Sequence, residues 1–142
     1  YIDFALSCRK KGSEYCFAVF DKLKNKFAGS TRFYNIDLDE KSLEIGYTWY
    51  GKEFQGTGLN KHCKYLLLEF AFEKIEIERV GFSADSDNSK SIAAMKSIGC
   101  TIEGTLRSTM FKKNGTRRNS TILSILKNEW TETVKQNLKN KL

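Results

Sequence analysis

The stretch from Leu43 to Ala84 constrains the fold more than any other part of the chain. Leu43, Ile45, Tyr47 and Trp49 alternate with Glu44, Gly46, Thr48 and Tyr50. That is the period-2 pattern of a strand with two usable faces. After a glycine turn, Leu59, Cys63, Leu66, Leu67, Phe70, Ala71 and Ile75 recur at helical spacing. They predict one apolar stripe on a long helix that ends near Glu78. Arg79 to Ala84 then reads as a short strand. Strand, helix and strand in succession imply a crossover, and so a parallel pair at the centre of a sheet.

The flanks read as antiparallel. Tyr15 to Phe20 and Lys26 to Tyr34 are strands joined by the turn Lys22-Leu23-Lys24-Asn25. Asp37-Leu38-Asp39 is a loop. Asp85 to Asn88 is a polar loop before a second helix, Ser89 to Ser97, with Ile92, Ala94 and Met95 inward and Gly99 as its stop. Cys100 to Phe111 and Arg117 to Leu126 form a last hairpin around Asn114-Gly115, a strong turn signal. Ile2 to Lys11 reads as a helix end closed by Gly12, and Trp130 to Leu142 as a lysine-rich amphipathic helix. The expected fold is a mixed α/β (α+β) domain, mostly antiparallel around a central parallel pair.

At 142 residues the chain suits one domain with a real core. No apolar run approaches the ~20 residues of a membrane span, and no secretory leader opens the chain. A cytoplasmic protein without membrane contact is therefore expected. The chain starts at Tyr1, not Met, which reads as the middle of a longer sequence. The four cysteines, Cys8, Cys16, Cys63 and Cys100, form no C-x-x-C pair and accompany a single histidine, His62. No metal site is expected; buried thiols in a reducing compartment are. The formal charge of +7 suits an anionic partner such as nucleic acid, ribosome or coenzyme A. The basic residues are spread along the chain, which disfavours nucleic acid.

Between strand and helix stands Gln55-Gly56-Thr57-Gly58. A helix start has unpaired N–H groups and the positive end of the dipole. Glycines let backbone close around a phosphate, and Lys61 adds charge in the first helical turn. The turn lacks the Gly-Lys-Ser/Thr ending of a nucleotide-triphosphate loop and the three spaced glycines of a dinucleotide fingerprint. Taken alone, it fits a plain strand-to-helix turn equally well.

Other segments surround it in order: Gly29-Ser30-Thr31-Arg32, Glu44-Ile45-Gly46-Tyr47, Gln55 to Asn60, Phe70 to Glu73, Arg79-Val80, Asp87 to Ser91, Ile98 to Cys100, Glu103 to Arg107 and Glu129-Trp130. From about Cys16 to Trp130 this series resembles the GNAT N-acetyltransferases, most closely the RimJ/RimL-like branch of ribosomal-protein type. The resemblance implies a splayed central parallel pair and acetyl-CoA as cosubstrate. Its pyrophosphate would sit on Gln55, Gly56, Thr57, Gly58, Leu59, Asn60 and Lys61. Its pantetheine would bond to backbone at Thr48, Trp49 and Tyr50, and Asn88 and Ser91 would lie near the thioester. Asn60 departs from the family motif, which places a small residue there. Residues 1–142 would be a single acetyltransferase domain without the family's usual first strand and helix. A homodimer is a further expectation, because relatives look dimeric.

Acetyl transfer to an amine needs a proton acceptor, a polarised carbonyl and a proton for the departing thiolate. Glu44 is the candidate base, with a solvated strand carboxylate or an acceptor-binding group as the other readings. Ser91 is the candidate acid; a backbone-bonding helix residue, or a water in its place, are the alternatives. Asn88 also reads as a helix cap. Tyr47 and Trp49 are expected to pack, His62 to lie on the surface, and Lys112, Lys113, Arg117 and Arg118 to form a solvated basic turn. The acceptor is a protein N-terminus or a small-molecule amine. The alternatives are a non-catalytic acyl-CoA-binding or regulatory module on this fold and, third, a nucleic-acid binder.

Overall fold

The structure is a computed structural model that describes residues 7–142. Most of the expected helix over Ile2 to Lys11 therefore lies outside the described residues. Its last turn, residues 7–10, is helical and closes at Gly12 with φ +72°.

Six strands build one sheet: β1 (Tyr15–Asp21), β2 (Lys26–Asp37), β3 (Ser42–Tyr50), β4 (Arg79–Asp85), β5 (Thr101–Phe111) and β6 (Arg117–Leu126). Their order is β1-β2-β3-β4-β6-β5. Only β3 and β4 pair in parallel; the other pairs are antiparallel. The crossover that makes them parallel is α1 (Leu59–Glu69), continued by a π-helical turn (Phe70–Lys74). Next comes α2 (Ser89–Ser97). The last helix, α3, runs as Lys127–Glu129, a π-helical turn Trp130–Val134, and Lys135–Lys139. It starts three residues before Trp130 because the Glu129 carboxylate accepts from the Leu126 N–H at 2.9 Å, capping the helix from inside.

Alternation along β3 sends Leu43 and Ile45 inward, where they meet Leu68 and Phe72 of the crossover helix, Val80, Leu123 and Ile125. Trp130 and Leu138 of α3 close the same core. The Trp130 ring stacks on Phe72, and its indole N–H donates to Glu73 at 2.9 Å, so the one polar atom of this buried ring is satisfied.

Two expectations need correction. The buried face of α1 and its π turn carries Lys64, Tyr65, Leu67, Leu68, Ala71 and Phe72, whereas Leu66 and Phe70 are 63% and 46% exposed. Sheet and α3 cover the side that holds Tyr65 and Leu68, which turns the expected stripe partly outward. The second correction concerns β3. Tyr47 adopts φ +49°, and the pairing with β2 slips between Ser30 and Arg32. This bulge breaks the period-2 rule. It leaves Tyr47 and Trp49 55% and 65% exposed rather than packed. Tyr47 rests against the Tyr34 ring and beneath the Arg32 guanidinium; Trp49 projects outward.

Candidate active site

The parallel pair is short. It covers Ser42 with Arg79, Leu43 with Val80 and Glu44 with Gly81, and stops there. Beyond it β3 runs on to Tyr50 and β4 to Asp85 without pairing to each other. The bulge at Tyr47 bends β3 toward β2, and the approach is close. A Cβ on Gly29 would stand 1.9 Å from the Trp49 carbonyl oxygen, so only glycine fits. The splay opens a groove of about 800 Å³, lined by β3, the glycine turn, α1, β4 and α2.

At the head of the groove the turn is built as its residues dictate. Gly56 and Gly58 take φ +77° and +85°, with open space around both. Thr57 Oγ1 donates to the Phe54 carbonyl at 2.8 Å, and Gln55 Nε2 to the Tyr50 carbonyl at 3.1 Å. Gly58 caps α1 without a side chain, and no acidic residue stands in the first turn. The helix start thus keeps its positive end unneutralised. Lys90 reaches Gln55 Oε1 from α2 at 3.4 Å, joining the two banks.

The structure brings Thr48, Trp49, Tyr50, Gln55, Gly56, Gly58, Asn60, Lys61, Asn88 and Ser91 together in this one groove. Thr57 and Leu59 belong to the same turn but do not line it. Asn88 is a helix cap, its Oδ1 accepting from the Ser91 N–H at 3.0 Å. Glu44 is placed elsewhere. It lies on the opposite face of β3 in a cavity of about 290 Å³ with Asn35, Asp37, Arg79 and Gly81. Tyr34 donates to its Oε2 at 2.7 Å and Asn35 Nδ2 to its Oε1 at 2.9 Å. Burial first, and the Glu44 carboxylate second, push the Tyr34 phenol far up, so it stays a donor.

Several groove residues escape the sequence reading. Arg118, expected in a solvated turn, lines the groove, with its Nε donating to Ser120 Oγ at 3.0 Å. Lys112 is not solvated either: it pairs with Asp85 at 3.0 Å and Asp87 at 2.6 Å. The Asp87 N–H and then Lys112 hold the Asp85 carboxyl below its usual range. Lys64 is the largest omission. This lysine is 5% exposed and lies on the groove floor. Its Nζ donates to Thr48 Oγ1 at 2.7 Å and Thr31 Oγ1 at 3.0 Å. Burial lowers its pKa to about 8, partly offset by Cys63 and Cys100. Its signal was present: Lys64 shares a helical face with Leu67, Leu68 and Ala71. Burial also pushes the Cys100 thiol up to about 12, which keeps it protonated and inert. Among the described residues no cluster of His, Cys, Asp and Glu is arranged to hold a metal. Nor is any described helix long and apolar enough to cross a membrane.

Residues 1–101 match the family model described as the acetyltransferase (GNAT) domain. The Bacillus subtilis (strain 168) protein YdaF, described as a candidate ribosomal N-acetyltransferase, is 36% identical over 102 residues, 72% of this chain and 55% of YdaF. The chain belongs to the GNAT acetyltransferase family. An acetyltransferase structure from T. thermophilus is 33% identical with a TM-score of 0.86, over 99% of this chain and 71% of that one. A GCN5-related N-acetyltransferase from Brucella melitensis superposes with a TM-score of 0.88 at 26% identity, covering 98% and 62%. The GNAT architecture accounts for the mixed sheet with its single parallel pair. The chain spans little more than half the length of YdaF, the curated relative it matches over 102 residues.

Proposed function

We propose that the protein transfers the acetyl group of acetyl-CoA to a primary amine. The observation that carries this reading is the groove between splayed β3 and β4, which ends on an uncapped helix start behind two left-handed glycines. Open space at Gly56 and Gly58, an unneutralised helix dipole and Lys61 suit a pyrophosphate. The free edge of β3 at Thr48 to Tyr50 suits an amide-bearing arm. A buried Asn60 Oδ1 without a partner among the described residues marks the wall as built for a polar ligand. When bound, acetyl-CoA supplies an activated acyl carbon.

The chain supplies the proton handling. Glu44 is the proposed acceptor of the amine proton from the far face of β3, where Gly81 leaves it room: a Cβ there would stand 3.0 Å from Glu44 Cγ. Ser91 is the proposed donor on the groove side. The acceptor is a protein N-terminus or a small amine. One observation favours a second reading, a non-catalytic acyl-CoA-binding module: both Glu44 oxygens already accept a hydrogen bond, and the residue lies outside the groove.

Calorimetric titration with acetyl-CoA, followed by an acetylation screen over small amines and N-terminal peptides, tests both. Saturable binding with turnover that falls in Glu44→Gln supports the enzyme. Binding without turnover on any amine supports the module. No binding at high micromolar acetyl-CoA sinks both.

A further inference from the structure

A lysine ammonium has three N–H donors. Two of those on Lys64 go to Thr48 and Thr31, and the third has no acceptor among the described residues. The side chain lies on the groove floor, buried, with hydroxyls and no carboxylate as its partners. An ammonium removed from water in this way is costly unless something completes its shell. Four residues earlier on the same helical face, Asn60 presents a buried Oδ1 without a donor. One unused donor and one unused acceptor thus line the same groove on successive turns of α1.

We propose that Lys64 and Asn60 form a polar reader for the amide-bearing arm of the acyl-CoA, Lys64 donating to an arm carbonyl and Asn60 accepting from an arm N–H or hydroxyl. The assignment rests on the cofactor reading above. Its position follows from helix geometry. Lys64 lies six residues past Gly58, about 9 Å along the helix axis at 1.5 Å per residue. A ligand whose pyrophosphate occupies the turn therefore passes Lys64 with its arm, not its phosphates. The tie to Thr48 puts the ammonium beneath the strand along which that arm would run.

This arrangement makes binding a proton-coupled event. Free Lys64 titrates at about 8. An acceptor placed on its third N–H favours the charged form and raises that value. Affinity is then full below about pH 8 and falls as the pH rises beyond it, with a proton taken up on binding. The neighbouring groups are Cys63 on its own helix, Cys100 just before β5, and, around the groove, Tyr50, Lys61, Lys90, Asp85 and Arg118.

The test is calorimetry at about pH 8.5 in two buffers of different ionisation enthalpy, with two probes. Acetyl-CoA carries the arm; 3′-phosphoadenosine 5′-diphosphate carries the pyrophosphate without it. Wild-type protein should take up protons with acetyl-CoA and fewer with the nucleotide. Lys64→Met should weaken acetyl-CoA by about tenfold, leave the nucleotide within about twofold, and abolish the difference in protons. Asn60→Ala should show a smaller loss with the same selectivity. Equal loss of both probes in Lys64→Met would reduce the residue to a strut and overturn the proposal. So would unchanged acetyl-CoA binding, or no proton uptake by wild type, a measurement that needs no variant to fold. If wild type binds neither probe, the cofactor reading fails and takes this one with it. If it binds both and the variants are indifferent, this one fails alone.

Discussion

Thr31 and Arg32 are neighbours on β2, and each meets a buried cation problem on its own face of the sheet. Arg32 is the cation on one side. It pairs with Glu14, and its guanidinium covers the Tyr47 ring. On the other side Thr31 receives Lys64, which has a second threonine where Arg32 has a carboxylate. Both cations are buried. The difference lies in what completes them. Arg32 is neutralised inside the fold, as a structural charge should be. Lys64 is solvated by hydroxyls, left uncompensated in charge, and set against an open groove. A fold tolerates the second arrangement where a ligand shares the site.

The sharpest way to break this comparison is to remove each cation in turn. Arg32→Met leaves the Glu14 carboxylate without its partner and should cost about 3 kcal/mol or more in chemical denaturation. Lys64→Met removes a charge that burial penalises and should stay within about 1 kcal/mol of wild type at neutral pH. Equal losses would erase the distinction.

The pH dependence should separate them next. The folded pKa of Lys64, about 8, lies below its ordinary 10.5. The unfolded chain therefore binds the proton more tightly, and stability rises as the pH climbs from about 8 to about 10.5. Against Lys64→Met the wild type should gain on the order of 3 kcal/mol across that window, read from denaturant midpoints. A flat difference would show that the ammonium is better solvated than its burial implies.

A smaller effect concerns the bend that makes the groove. Gly29→Ala drives a Cβ into the Trp49 carbonyl and should cost about 2 kcal/mol. It should also weaken acetyl-CoA binding, because the end of β3 must move. The smallest effect is at α2. Asn88→Ala removes the cap and should cost about 1 kcal/mol in thermal unfolding. If acetyl-CoA affinity falls as well, Asn88 serves fold and ligand together, as Lys64 is proposed to do and Arg32 is not.

Much of this was legible in the chain. The bounds of α2 and β6 agree with expectation, Ser89–Ser97 and Arg117–Leu126. Both elements are fenced by short-range turn chemistry: Asn88 before the helix, Gly99 after it, Asn114-Gly115 before the strand. The parallel pair and the glycine turn followed from the same local logic. Less was legible where a position depends on distant partners. The bulge at Tyr47 exists because β2 and β3 must slip past each other near Gly29, so the alternation of apolar residues misled about Tyr47 and Trp49. The placement of Glu44 away from Ser91 follows from strand alternation, but only once the groove is known to open on the Leu43 face.

By itself, then, the sequence determined the order of elements, the crossover that forces a parallel pair, and an anion-binding turn at a helix start. Periodicity and capping act over a few residues, and that is why they can be read without a fold. Tertiary structure alone decided how far β3 and β4 separate, which face of β3 carries Glu44, and that Lys64 is buried. A lysine in a helical run is solvated by default. It becomes a groove-floor cation because Thr48 and Thr31, 16 and 33 residues earlier in the chain, arrive to receive it.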